Sequence, residues 1–184
     1  MVKIVGIFRR LGPIGERFGW NREFERGAWF SGERTAIMLQ LVEQYGANRR
    51  IVELGCGDGS LARRVVHVPH TSYLGIDVAD RATATASEIN DPRYSFRTCS
   101  MQNWHPDGAF DLLIMEECLY YLGAKAQDAL LERAFAAMAP GGVAIFSVRD
   151  AEKQKLTLDR IRRQGPIVQE CGETYRKYLV VARE

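Results

Sequence analysis

No uninterrupted apolar stretch comes near the ~20 residues that a membrane-spanning helix needs, so neither a transmembrane span nor a membrane partner is expected. The opening MVKIVGIFRR has too short an apolar run for a secretory leader, and arginines follow it where small cleavage-site residues would stand. A soluble, cytoplasmic chain is therefore expected. Cysteine is scarce and scattered: Cys56, Cys99, Cys118 and Cys171 form no CxxC pair, which argues against a disulfide framework or a zinc site. His67 and His70 stand as HxxH, but no third ligand follows at a metal-binding spacing, and no metal is expected. Basic and acidic side chains nearly balance at a net +2, with no basic stripe, so nucleic acid is not the expected partner. There is no internal repeat and no low-complexity stretch.

The 184 residues, 46% of them apolar, suit one domain with a small appendage. Charge is unevenly spread. Residues 35–148 carry nine basic and thirteen acidic groups between two mildly basic ends, so the centre would welcome a cationic ligand. From residue 33 onward helix and strand patterns alternate. Ile37, Leu41 and Tyr45 mark an amphipathic helix over 33–45, and residues 50–54, 72–76 and 94–98 look like strands. Helices are expected over 60–67, 79–90, 125–138 and about 152–163, the third of them stopped by Pro140-Gly141-Gly142. The compact apolar runs 110–115 and 143–148 suit strands buried on both faces. Segments 167–173 and 178–182 follow each other too closely for a crossover and suit a hairpin. The expected fold is α/β: a doubly wound, mostly parallel sheet with an antiparallel C-terminal edge and helices on both faces.

Residues 1–32 stand outside this rhythm. They hold six glycines and the aromatic group Trp20, Phe24, Trp29 and Phe30. Either they form a strap packed on the domain 33–184, or they form a lid over a ligand.

The most informative stretch runs Ile51-Val52-Glu53-Leu54-Gly55-Cys56-Gly57-Asp58-Gly59-Ser60. A buried strand leads into three alternating glycines and then a helix. Such glycines permit a tight turn, a ligand against the backbone, and close helix packing. Asp77 ends the second strand, eighteen residues beyond Gly59, where a carboxylate can accept both hydroxyls of a ribose; capping the next helix is its plainer role. The spacing is GxGxG, not the dinucleotide GxGxxG. Glu53 before the loop and Asp58 inside it would repel a pyrophosphate and suit a ligand bearing an ammonium and a sulfonium.

Residues 51–60 resemble motif I of the class I, Rossmann-like S-adenosylmethionine-dependent methyltransferases, [VIL]-[DE]-[LV]-G-x-G-x-G, at every defined position. Leu74–Asp77 resembles the second motif, and Phe110–Leu122 the fourth-strand motif with its aspartate at the strand start. Leu131–Val148 resembles the helix and PGG turn before strand five, and the last two strand signals resemble the antiparallel sixth and seventh strands. The resemblance implies a seven-stranded sheet and a cofactor, S-adenosyl-L-methionine, left as S-adenosyl-L-homocysteine. It implies that Glu53, Gly55, Cys56, Gly57, Gly59, Asp77, Val78, Ser100, Met101 and Glu116 hold that cofactor. Two positions depart from the family. Ser100 stands where an acid usually meets the adenine amine, and Tyr121 stands where many members carry a histidine.

Methyl transfer from a sulfonium gains chiefly from alignment and exclusion of water, and needs a base only for a protonated acceptor. Glu116, Glu117 and Tyr121 are the candidate catalytic groups, and Trp20, Trp29, Phe30 and Tyr120 the candidate substrate or lid residues. His105, after strand three, is the best-placed histidine in the chain order, or simply a surface-loop residue. The expected reaction is methylation of an oxygen or nitrogen of a small-molecule acceptor by a monomer or homodimer. A cofactor-binding protein without its own activity and a nicotinamide-dependent oxidoreductase are the alternatives.

Overall fold

In the computed structural model, which describes residues 12–27, 34–172 and 175–184, the apolar runs become the middle of a sheet. The chain runs α1 (Gly12–Glu25), α2 (Arg34–Tyr45), β1 (Arg50–Leu54), α3 (Ser60–Arg64), β2 (Ser72–Asp77), α4 (Asp80–Ala86), β3 (Tyr94–Thr98) and β4 (Phe110–Glu116). A 3-10 turn (Leu119–Tyr121) leads to α5 (Ala124–Ala137), β5 (Met138–Arg149), α6 (Lys155–Arg162), β6 (Ile167–Gly172) and β7 (Arg176–Ala182). The strand order is β3-β2-β1-β4-β5-β7-β6. Pairing is parallel from β3 to β5, and β7 lies antiparallel between β5 and β6.

Successive residues of the central strands point to opposite faces, and both faces are covered. Val52, Leu54, Leu113, Met115 and Phe146 meet Trp104, Leu130, Leu131, Phe135 and Ile161 on one side. Ile51, Leu112, Ile114, Ile145 and Val180 meet Met38, Leu41, Val42, Leu61 and Val65 on the other. Double coverage is why these strands read as unbroken apolar runs. Leu113 is fully buried, and its truncation to alanine would cost about 2–5 kcal/mol. Asp111, at the start of β4, accepts from the Arg50 Nε and Nη2 at 2.8 Å each, fastening the amino ends of β1 and β4. That aspartate is a joint of the sheet.

Three boundaries differ from the sequence pattern. Pro140-Gly141-Gly142 does not separate α5 from a later strand. β5 already begins at Met138, opposite Phe110, and a register shift between Phe110 and Leu112 absorbs the irregular residues. The helix expected to reach residue 67 ends at Arg64, where the Val65 N–H turns to both Leu61 and Ala62 carbonyls. The helix expected to reach residue 90 ends at Ala86, because Glu88 and Ile89 donate to the tighter i−3 carbonyls of Thr85 and Ala86.

Residues 12–25 form a helix although two interior glycines, Gly15 and Gly19, each weaken it by about 1 kcal/mol relative to alanine. Polar links to α4 hold it in place. Asn21 Nδ2 donates to Asp80 at 2.5 Å, the Arg81 N–H donates to Asn21 Oδ1 at 3.3 Å, and Arg17 and Arg81 pair with Asp80 and Glu25.

Because β1 lies between β2 and β4, the chain leaves it in both directions. Above the carboxyl ends of these strands is the switch point where doubly wound sheets open a ligand crevice.

Candidate active site

The crevice floor is the turn after β1. Gly55, Gly57 and Gly59 all adopt positive φ, at 81°, 54° and 78°. Gly55 also leaves no room for a side chain, since a Cβ there would stand 2.8 Å from the Cys118 Cβ. The N–H groups of Gly55 and Cys56 both donate to the Ile76 carbonyl, at 2.7 and 3.1 Å, tying the loop to β2. Asp77 completes the tie: its Oδ2 accepts from Gly57 N–H at 3.0 Å and its Oδ1 from Ala79 N–H at 2.8 Å. The buried carboxylate thus holds the glycine loop on one oxygen and steadies the start of α4 on the other, while the N-cap position itself is Ala79. Val78, half-buried, adds its N–H to the same carboxylate. Asp58 turns back to accept from Ser60 N–H at 3.1 Å and Ser60 Oγ at 2.6 Å.

Acids converge here. Glu53 is buried, and burial pushes its carboxyl up to about 8, against the opposing pull of the Tyr73 hydroxyl that donates to it at 2.5 Å. The charges of Glu116, Asp77 and Asp58 push it in the same direction as burial. Burial likewise raises Asp77 to about 6, opposed by the backbone N–H groups of Ala79, Gly57 and Val78. Among the described residues neither Glu53 nor Asp77 is paired with a basic side chain. The neighbouring thiols of Cys56 and Cys118 are pushed well up by burial, and Cys118 Sγ donates to the Leu54 carbonyl at 3.0 Å. They are inert packing groups in a pocket of negative charge.

At the β3 end Ser100 is buried and donates to Glu16 Oε2 of α1 at 3.1 Å, with Met101 half-buried beside it. A carboxylate thus stands beside the serine after all, delivered by the N-terminal helix. The same helix brings Trp20 edge-on to Tyr121, with ring centroids 4.9 Å apart and planes at 77°. Tyr120 and Tyr121 stand 4.8 Å apart on the 3-10 turn, and burial raises both phenols. Trp29 and Phe30 lie outside the described residues.

Beyond β4, Glu117 is buried and held at φ 54°, a conformation that costs a non-glycine residue of order 1–3 kcal/mol. Its carboxylate faces Arg176 Nε at 2.7 Å and Arg149 Nε at 3.5 Å, and accepts from the Tyr120 hydroxyl at 3.2 Å. Glu116 ends β4 within electrostatic range of Glu53. The structure therefore gathers Glu53, Gly55, Cys56, Gly57, Gly59, Asp77 and Glu116 at the carboxyl ends of β1, β2 and β4, with Trp20, Tyr120, Tyr121 and Glu117 beyond β4. Glu16, Tyr73, Arg149 and Arg176 join them without having been singled out from sequence. A strand-end position was the available signal for Arg149; Glu16 offered none.

The histidines lie elsewhere or are engaged. His70 Nδ1 meets the Val68 carbonyl at 2.8 Å, His67 meets Glu43 at 2.9 Å, and exposed His105 meets the Asn103 carbonyl at 3.0 Å. Among the described residues no group of three or more His, Cys, Asp or Glu side chains is arranged to hold a metal. Nor is any described helix long and apolar enough to cross a membrane.

Residues 51–142 match the family described as methyltransferase domain, which is half of the chain. A trans-aconitate 2-methyltransferase of Methylobacterium radiotolerans is 30% identical over 149 residues, covering 78% of this chain and 56% of the relative. Nodulation protein S of Rhizobium tropici is 33% identical over 131 residues, covering 68% of this chain and 54% of the relative. The chain thus spans little more than half the length of these two relatives. In fold it is similar to the N-methyltransferase NodS of Bradyrhizobium japonicum WM9, solved with S-adenosyl-L-homocysteine. The TM-score is 0.71 at 21% identity, over 82% of this chain and 86% of that one.

Proposed function

The chain belongs to the methyltransferase-domain family, and from that premise we propose that it transfers a methyl group from S-adenosylmethionine to an oxygen or nitrogen of a small-molecule acceptor. The observation that carries this reading is the pair of buried carboxyls, Glu53 and Asp77, without a basic partner beside a loop of three left-handed glycines. Such a site favours a ligand that brings positive charge and so ionises Glu53, and the neighbouring acids Asp58, Asp77 and Glu116 disfavour a diphosphate. When bound, the cofactor supplies an electrophilic methyl group on a sulfonium.

The chain's own groups then have distinct tasks. Asp77 would accept the ribose hydroxyls while keeping its backbone donors Gly57, Val78 and Ala79, so cofactor and loop would share one anchor. Gly57 and Gly59 let the ligand lie against bare backbone, and Glu53 and Glu116 face its cationic part. Ser100 and Glu16 lie one strand further out, where they and Met101 would hold the nucleobase. Trp20 and Tyr121 close the acceptor side and exclude water, which serves a reaction governed by alignment. Glu117 is engaged by two guanidinium groups and a hydroxyl, so it organises the acceptor wall and does not serve as a proton acceptor. Within the N-terminal segment, α1 is the part that acts as the lid in this reading. The work is done in the cytoplasm by a monomer or homodimer.

The test is calorimetry with S-adenosylhomocysteine and NAD side by side, followed by transfer of labelled methyl from S-adenosylmethionine to a panel of small acceptors. Binding of S-adenosylhomocysteine alone, with label transferred, is the expected result. Binding of NAD instead would replace the reading with an oxidoreductase. S-adenosylhomocysteine bound without any transfer would reduce the chain to a cofactor-binding protein.

A further inference from the structure

Charge is divided across the crevice. On the β1 and β2 side stand Glu53, Asp58 and Asp77, with Glu116 at the tip of β4. On the β5 and β7 side stand two arginines, Arg149 at the end of β5 and Arg176 at the start of β7, opposite each other in the antiparallel register. Their side chains are 28% and 21% exposed, low for arginine and enough to reach a ligand. One carboxylate, Glu117, lies between them. Arg149, Arg176 and Glu117 give that wall two cations to one anion, and the adjacent Asp150–Lys153 ion pair adds no net charge. Glu116 at the tip of β4 lies within electrostatic range of Tyr178 at the wall's edge as well as of Glu53.

The two arginines are not equally bound. Arg176 holds Glu117 at 2.7 Å and is structural. Arg149 reaches the same carboxylate only at 3.5 Å, and its side chain makes no closer ion pair or hydrogen bond among the described residues. Tyr120, Tyr121 and Tyr175 are the other titratable groups that face it. Tyr121 in turn packs on Trp20 of the lid helix. The Arg149 guanidinium, held only loosely by Glu117, thus stands among Tyr120, Tyr121 and Tyr175 at the carboxyl end of β5, the strand beside β4.

We propose that Arg149 is the specificity residue for the acceptor, which is a small molecule carrying a carboxylate, with the Glu117–Arg176 pair positioning the arginine. This rests on the methyl-transfer reading above. A planar guanidinium offers a carboxylate two parallel donors, which an ammonium cannot. An amine acceptor would meet Arg149 as a like charge. The same polarity keeps the ligands apart: a cationic cofactor is drawn to the acids and an anionic acceptor to the arginine.

The experiment uses the full chain saturated with S-adenosylhomocysteine, titrated with tricarballylate, citrate and 4-hydroxybenzoate, and with spermidine as cationic probe, at matched ionic strength. Calorimetry and ligand-observed NMR read the binding. At least one carboxylate should bind at one per chain and spermidine should not. Arg149→Gln should weaken the carboxylate about tenfold or more, and Arg149→Lys should lose less. Both variants should keep wild-type affinity for S-adenosylhomocysteine. Unchanged carboxylate affinity in Arg149→Gln, no carboxylate bound by protein that does hold S-adenosylhomocysteine, or a preference for spermidine would each overturn the proposal. A wild-type chain that fails to bind S-adenosylhomocysteine would overturn the parent reading first, and this one with it.

Discussion

Glu53 offers the sharpest quantitative test, because burial raises its carboxyl to about 8 while its proposed task requires a negative charge. In the ligand-free protein at pH 7 only about one molecule in eleven carries the ionised group, and at pH 8 about half do. A cation placed beside Glu53 favours the ionised form, so binding expels a proton. The cost of that ionisation is about 1.4 kcal/mol at pH 7 and about 0.4 kcal/mol at pH 8. Affinity for S-adenosylhomocysteine should therefore rise about fivefold over that single pH unit. Glu53→Gln keeps an acceptor for the Tyr73 hydroxyl but cannot ionise. The ratio of wild-type to variant affinity cancels the ligand's own titration and should grow by the same factor. Calorimetry at pH 7 in two buffers of different ionisation enthalpy should report nearly one proton released by the wild type and none through this site in the variant. The raised carboxyl also fixes the sign of Glu53's own share in folding: that contribution to the ligand-free folded state is full below the usual carboxylate range and is lost as pH rises to about 8. A wild-type to variant ratio independent of pH would refute the charge assigned to Glu53.

Asp77→Ala should weaken S-adenosylhomocysteine by about 1.5–3 kcal/mol in calorimetry, the range for hydrogen bonds to a charged group, and should also free the Gly57 and Ala79 N–H groups it now holds. Gly55→Ala forces a side chain at φ 81° toward Cys118; urea unfolding should show a loss of at least about 1–2 kcal/mol, together with weakened cofactor binding. Trp20→Ala removes an aromatic pair worth about 0.5–1.5 kcal/mol, and deleting residues 1–30 removes the whole helix. In Trp20→Ala, labelled-methyl transfer should fall far more than S-adenosylhomocysteine affinity, and equal losses of the two would contradict a lid over the acceptor; the deletion, which also removes Glu16, should lower both.

The glycine loop and Asp77 were legible because the information is local: strand, glycine spacing and terminal acid lie within 27 residues, and their meaning depends on backbone geometry. The mostly parallel sheet with its antiparallel hairpin was legible for a related reason, since crossover helices leave few topologies open. What escaped was set by long-range contacts. Glu16 meets Ser100 across 84 positions, so nothing near Ser100 announces the carboxylate beside it. Arg176 and Glu117 are 59 apart and meet only because β7 slots in antiparallel beside β5. Glu117 itself was visible as a carboxylate after a buried strand, which fits a base; only its partners show it committed to an ion pair. The Pro140-Gly141-Gly142 turn looked like a break because proline and glycine weaken strands, yet an early pairing of Met138 with Phe110 carries β5 through it.

A crystal structure with S-adenosylhomocysteine tests the central claim most directly. The account predicts both ribose hydroxyls on the Asp77 carboxylate, the amino acid end against the Gly55–Gly59 loop, and the sulfur directed toward Tyr121 and Arg149. A crevice filled by the protein's own side chains, or a ligand whose ribose lies away from Asp77, would contradict it.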